Sequence, residues 1–396
     1  MPGMMRLLAT ADIHLGSPIR SVALRNPDLG DRLKQASRDT FVQIIDLAVT
    51  EKVDAFVLAG DIFDNGYPDL RSRAFLIAQL SRAAEAGVPT VLVRGNHDAL
   101  LDHRAHGELG PNIHLLHKEM PTVEIGDAAF HGLSYDAAHV GKSFLPDYPK
   151  PVPDKRNVGL MHTSLDGAPG HDPYAPCAAA DLMAHGFDLW CLGHIHAPFE
   201  RWDGPVLAVM PGIPQPRHFG ERQGGTVTLV EMGNGAPIVE RRDVSRLGFA
   251  ELELDLQDSG DQQDMVGALR DGFLSAQLPN KDVAVRLRAT SSRQSGAFVT
   301  ELAAEVLDDV DRVFLDKVEV VPPSRPPNTE TDDLVRLMRT EMAEDGFRQA
   351  ALQQLDEVRT ALPNEIAAEL EDHALDALLE DAIAEVMLAL HAERAE

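Results

Sequence analysis

The sequence predicts a layered α/β domain over residues 1–245, a smaller βαβαβ unit over 246–321 and a helical segment over 330–396, the last joined by a proline-rich linker at 322–329. Three observations carry this. Short β-rich runs alternate with amphipathic stretches through the first 245 residues, the pattern of sheets covered by helices. From about residue 246 the order tightens to strand, helix, strand, helix, strand. Beyond "PPSRPPN", which continues neither a helix nor a strand, apolar residues recur only at helical spacing.

Taken in order, "RLLAT" and "AFVLAG" are short apolar runs and read as buried strands. Between them Leu33, Ala36, Phe41, Ile44, Ile45 and Ala48 fall near helical spacing, as do Phe75, Ile77, Leu80 and Ala84 after the second strand. "PTVLV" is a third buried strand. "TVEIGDAAFHGLSY", "NVGLMH", "DLWCLGH", "VLAVM" and "GTVTLVEM" are richer in strand, with hairpin-like turns, and supply a second sheet. The βαβαβ unit reads "FAELEL", "QDMVGALRDGFLSAQ", "VAVRLRA", "GAFVTELAAEVLDD" and "VFLDKVEVV". In the last segment Leu334, Leu337, Met338 and Met342 form one apolar stripe, and Phe347 to Leu362 a second. Asn364 can cap a third helix bearing Leu375, Leu378, Leu379, Ile383, Val386 and Leu390.

A chain of 396 residues with 44% hydrophobic and 25% charged content can bury a sizeable core. Its two cysteines, Cys177 and Cys191, match neither a disulfide framework nor a zinc motif, so a reducing cytoplasm is expected. No apolar run reaches the roughly 18 residues of a membrane span, so no membrane contact is expected. The net charge of −27 argues against a protein that coats nucleic acid non-specifically. Residues 20–38 are the local exception, with Arg20, Arg25, Arg32, Lys34 and Arg38 against Asp28 and Asp31. This is either a track for a polyanion or a solvated helix face.

The residues that end the strands carry the chemistry. Asp12 and His14 follow the first strand, Asp61 the second, and Asn96, His97 and Asp98 the third; His162 ends a later one, and His194 and His196 another. "GNHD" by itself is adequately explained as a turn. Five strands ending in Asp, Asn or His are not, because sites in open α/β sheets gather outside the carboxyl ends of strands. Asp, Asn and neutral His suit Mn²⁺, Fe²⁺ or Zn²⁺. Seven such donors are too many for one ion and suit two, about 3.5 to 4 Å apart with a bridging carboxylate. Four positive charges against the two of Asp12 and Asp61 would leave a site that attracts phosphate.

In this order, "ADIHLG", "GDIFD", "GNHD", the "LMH" element and "GHIH" resemble the calcineurin-like metallophosphoesterase superfamily. The forms "DIHLG" and "GDIFD", the later "MPGIPQPRHFGE" and the βαβαβ unit are similar to the SbcD-type DNA-repair exonuclease branch, nuclease subunits that work with an SMC-like ATPase. The likeness covers about residues 1–325. It implies a four-layer α/β/β/α sandwich with the βαβαβ unit as a small capping domain. It also implies two divalent ions, Mn²⁺ first among them: one on Asp12, His14 and His196, the other on Asn96, His162 and His194, with Asp61 bridging. His97 would lie over the phosphate and protonate the leaving oxygen while hydroxide attacks phosphorus in line. Some family members carry a histidine where Asp64 stands, paired with the catalytic one; Asp64 could orient His97 as a carboxylate, or cap the following turn. Asp98 reads as a turn or supporting residue.

The expected activity is that of a metal-dependent DNA repair exonuclease or endonuclease. Arg20, Arg25, Arg32, Arg217 and His218 are the candidate contacts to the DNA backbone. A small-molecule phosphodiesterase or nucleotidase is the alternative within enzymes, and a phosphoesterase fold that has lost catalysis the alternative outside them. The last segment holds 18 acidic residues against 5 arginines. Its apolar stripes could form an intramolecular bundle or dock the ATPase, and homodimerisation is also open.

Overall fold

The structure is a computed structural model; it describes residues 3–17, 26–64, 69–99, 109–166, 174–257, 261–291, 294–321 and 329–361, with a few positions between 375 and 386. Arg20, Arg25, the linker at 322–328 and most of the expected third C-terminal helix lie outside the described residues. The chain divides into two compact units, one from the described residues of 1–19 and 31–249, the other from those of 20–30 and 250–396.

The first unit contains two six-stranded sheets. In the first, β1 (Met5–Thr10), β2 (Ala55–Ala59), β3 (Thr90–Val93) and β4 (Ile113–Leu115) run parallel, and β11 (Thr226–Met232) and β12 (Ile238–Asp243) extend the β1 edge antiparallel, so the strand of "GTVTLVEM", expected in the second sheet, belongs to the first because it pairs with β1. The second sheet has the order β5 (Thr122–Ile125), β6 (Ala128–Gly132), β7 (Arg156–His162), β8 (Leu189–Gly193), β10 (Val206–Met210), β9 (Phe199–Asp203), with antiparallel strands at both edges. Side chains alternate across each strand, and here both faces are buried. Leu7, Ala9, Val57 and Val91 of the first sheet meet Phe130, Val158, Leu160, Cys191 and Val209 of the second in a single core. The opposite faces are covered separately. Leu8, Phe56, Leu58 and Leu92 pack under Phe41, Ile44 and Ile45 of α1 (Pro27–Thr50) and Leu76 and Leu80 of α2 (Leu70–Glu85). Met161, Trp190 and Leu192 pack under Tyr148, Phe187 and Leu182 of α3 (Ala179–Ala184). The layers are thus α/β/β/α.

In the second unit β13 (Leu247–Asp255), β14 (Asp282–Thr290) and β15 (Val313–Val321) form a three-stranded sheet in that order. Met265, Leu269 and Phe273 of α4 (Gln262–Ala276) and Val299, Leu302 and Val306 of α5 (Gly296–Leu307) share its core. Asp261 and Ser295 cap these helices by accepting from Asp264 N and Phe298 N. Two further helices, α6 (Thr329–Ala343) and α7 (Asp345–Ala361), leave Leu337, Phe347 and Val358 exposed. Among the described residues, no helix is long and apolar enough to cross a membrane.

Candidate active site

Register brings the strand ends together. The β1–β2 pairing sets Asp12 beside Gly60, whose carbonyl accepts from Asp12 N at 3.0 Å, and His14 N donates to Asp61 O at 3.1 Å. The β7–β8 pairing sets His162 opposite Gly193, and so next to His194. Asp12, His14, Asp61 and His194 all have positive φ, a conformation that costs energy for residues with a Cβ and clusters at functional sites. Gly95 is required by proximity: a Cβ there would run into the Asp61 carboxylate.

Among the described residues three sets of donors have their ligand atoms within 4.8 Å of one another: His14, Asp64 and His97, and the two groups that Asp61 adjoins, Asp12, His14 and His196, and Asp12, Asp61 and His162. His14 Nε2 faces His196 Nε2 at 3.3 Å. His162 Nε2 lies 3.0 Å from Asn96 Oδ1 and 3.3 Å from Asp61 Oδ2. Asp61 Oδ2 also lies 3.9 Å from His14 Nε2, between the two groups. The His194 ring stands 5.2 Å from that of His162, and its backbone N donates to Asp12 Oδ1 at 3.0 Å. His162 Nδ1 donates to Ala59 O at 3.0 Å, and His196 Nδ1 to Glu221 Oε1 at 2.7 Å. With each Nδ1 so engaged, Nε2 is the ring nitrogen turned toward the other oxygen and nitrogen atoms of the cluster. His162 gives up its Nε2 proton to become a ligand, and the set of N and O donors then fits borderline divalent ions.

The electrostatics agree. Burial is the largest influence on Asp61 and opposes its charge, but His162 and His14 beside it hold the carboxyl below the usual range. Burial also opposes charge on His162, yet Asp61 and Asp12 push it up to about 9. His14 is pushed down, first by burial and then by Arg217. Asp98, fully buried, is raised to about 7 by burial and by Asp61's charge. Three backbone donors, Ile62 N, Phe63 N and Gly95 N, pull it the other way at 2.8, 2.9 and 3.2 Å. Asp98 thereby ties the loop after β2 to the loop after β3.

His97 is exposed, its ring 5.1 Å from that of His14. Its Nδ1 donates to the backbone carbonyl of Asp64 at 2.8 Å, not to the carboxylate. Asp64 thus meets His97 through its backbone, while its carboxylate lies in one cluster with the His14 and His97 rings, their ligand atoms within 4.8 Å of one another. That carboxylate faces His14 Nδ1 at 3.1 Å and accepts from Arg217 Nη1 at 2.9 Å, because the loop turns its backbone toward His97 and its side chain inward. Arg217 is engaged by two acids. Glu221 takes its Nη2 at 2.7 Å and its backbone N at 2.8 Å, and Asp64 takes its other arm. His218 is exposed, with Nε2 3.3 Å from Glu221 Oε1. Arg32 is exposed on α1.

Sequence reasoning missed Glu221. It is buried and holds His196, Arg217 and His218 together, and it lies in the quoted stretch "PQPRHFGE", three residues after His218 and four after Arg217. That acidic residue closing a basic pair was the available signal. Tyr135 was also missed; its hydroxyl donates to His162 O at 3.1 Å.

A two-sheet α/β sandwich with paired carboxylate and imidazole clusters at the strand ends defines a metal-dependent hydrolase class. Residues 5–198 match the model of the calcineurin-like phosphoesterases, and the chain carries a domain of that family. It is 28% identical over 289 residues to an uncharacterized metallophosphoesterase, YhaO, of Bacillus subtilis, covering 72% of this chain and 71% of that one. It is 26% identical to the DNA double-strand break repair protein Mre11 of Sulfurisphaera tokodaii, over 60% of this chain and 62% of that one. For Mre11 of Haloferax volcanii the figures are 26%, 76% and 65%. The chain thus spans just under two thirds of the length of these Mre11 relatives. The family's activity is phosphoester hydrolysis at a dinuclear metal site.

Proposed function

We propose that this chain is a two-metal phosphodiesterase that acts on DNA as a repair nuclease. The observation that carries the reading is the position of Asp61 Oδ2, 3.3 Å from His162 Nε2 and 3.9 Å from His14 Nε2, one carboxylate oxygen facing both groups of donors. Asp12, His14 and His196 would hold one ion and Asn96, His162 and His194 the other, with Asp61 between them. Mn²⁺ is the expected metal; Fe²⁺ and Zn²⁺ suit the same donors. When bound, the ions supply Lewis acidity at the phosphoryl oxygens and a nucleophile of lowered pKa.

The protein's own residues do the rest. Ala59 O and Glu221 fix the tautomers of His162 and His196, so that Nε2 of each presents a lone pair. The Asp64 carbonyl does the same for His97, leaving Nε2 as the nitrogen that, in the protonated ring, gives its proton to the leaving oxygen. The Mre11 relatives support DNA as the substrate. The exposed Leu337, Phe347 and Val358 support a partner on the C-terminal helices, for which an SMC-like ATPase is our candidate. Two buried, unpaired cysteines support a cytoplasmic location. The test combines metal analysis with cleavage of end-labelled single- and double-stranded DNA in Mn²⁺. Two bound ions without cleavage of any diester would make the chain a scaffold, and cleavage of small diesters alone would make it a small-molecule phosphodiesterase.

A further inference from the structure

We propose that a cavity beside the donor cluster is a second phosphate subsite, which takes the phosphodiester flanking the scissile one and so selects polynucleotides over isolated diesters. The inference rests on the phosphodiesterase reading above. The cavity, of about 260 Å³, is lined by His14, Ser17, Lys34, Ser37, Arg38 and Arg217, among others. His14 and Arg217 belong both to its wall and to the network around the donor cluster, so the cavity and the candidate metal site share two side chains.

Lys34 and Arg38 stand four residues apart on α1 and present two cations on one face. Arg38 is held in place: its guanidinium lies 5.2 Å from the Phe75 ring centroid, and Nη2 donates to Ser72 Oγ at 3.2 Å, which engages only part of its five-donor fork. Lys34 pairs with Asp31 at 3.0 Å, but both side chains are more than half exposed, and such a pair contributes little that a phosphate could not replace. The anion in the wall is Asp69, whose carboxylate is engaged by Arg71 N, Ser72 N and Ser72 Oγ at the start of α2 and also feels the charge of Arg38. Arg217 is balanced by Glu221 and Asp64. The Ser37 hydroxyl, in the same wall, has no hydrogen-bond partner among the described residues. In a chain of net charge −27, cations gathered on a cavity beside the site are out of keeping with the whole. A phosphate in register with the scissile one accounts for them.

The experiment measures kcat/KM in Mn²⁺ for three substrates: TpT, TpTpT, and TpT bearing a terminal phosphate. For the wild type, the gain from TpT to TpTpT is expected to be about tenfold or more, the scale of charged hydrogen bonds to a phosphate. Lys34→Gln and Arg38→Gln should each remove most of that gain through KM. Lys34 is exposed on α1 and carries the test if the Arg38 variant fails to fold. Equal kcat/KM for TpT and TpTpT, or variants that keep the gain, would overturn the subsite while leaving the phosphodiesterase reading in place. A gain confined to the terminal monoester would assign the cavity to mononucleotides and overturn the selection of polynucleotides. A wild type that holds two ions yet cleaves none of the three sinks the phosphodiesterase reading and this inference with it.

Discussion

Glu221→Gln tests whether the site is held by the buried carboxylate that sequence reasoning passed over. Glu221 is 7% exposed and accepts from His196 Nδ1 and Arg217 Nη2 through Oε1, both at 2.7 Å, and from Arg217 N through Oε2 at 2.8 Å. Glutamine keeps the shape and one acceptor. With its oxygen at the Oε1 position, its NH₂ meets the Arg217 backbone N–H, donor against donor. Two bonds lose the carboxylate's charge at about 1 kcal/mol each, and one buried donor loses its partner at about 1 kcal/mol or more, so the variant should lose about 3 kcal/mol. His196 loses its orienting partner as well, which lowers metal affinity by about 10- to 100-fold. Urea unfolding of the metal-free proteins and calorimetric titration with Mn²⁺ read the two effects.

The pH dependence of the stability difference isolates the carboxylate, since glutamine does not titrate. Burial pushes Glu221 up, but His196, His218 and Arg217 hold it far below its usual 4.5. A depressed pKa stabilises the fold above the unfolded value and loses that contribution as pH falls. The difference should therefore be full at pH 7, persist down to about 4.5 and shrink below it. A difference under about 1 kcal/mol at pH 7, with unchanged Mn²⁺ affinity, would show that the network does not hold the site.

Changing His97 to Ala should leave two ions bound and cut turnover about 100-fold or more, the scale of a lost general acid; metal lost together with activity would place His97 among the ligands. Asp61→Ala should remove or cripple both metal positions in elemental analysis, and retention of both would take Asp61 out of the bridge. Asp64→Asn should weaken metal retention about 10- to 100-fold, because its carboxylate supports His14 and Arg217; a loss of turnover with full metal content would return that carboxylate to His97. In the metal-free chain His162 is held at about 9 against its usual 6.5, so its charge stabilises the fold fully below 6.5 and that contribution disappears as pH rises through 9. Metal must displace this proton, so affinity should climb with pH up to about 9; calorimetry in buffers of different ionisation enthalpy that finds no released proton would exclude His162 as a ligand.

Sequence alone determined the class of fold and the set of polar residues that end its strands. Strands and helices announce themselves by local period, and an Asp, Asn or His placed straight after an apolar run is visible without knowing what lies opposite. Hence "RLLAT", "AFVLAG" and "PTVLV" emerge as β1, β2 and β3, and Asp12, His14, Asp61, Asn96 and His162 as one group, from sequence alone. Which partner each side chain meets was decided only by the tertiary structure. Asp64 gives its backbone carbonyl to His97 and its carboxylate to His14 and Arg217, a division set by the path of one loop. Glu221 meets His196 across 25 residues of chain, and Arg217 turns inward to both acids rather than outward. Of the basic residues between 20 and 38, Lys34 and Arg38 line the cavity beside His14, while Arg32 is not among its lining residues. Period depends on neighbours in sequence, whereas a hydrogen bond depends on two loops arriving at one point with the right rotamers, and that is a property of the packed sheets.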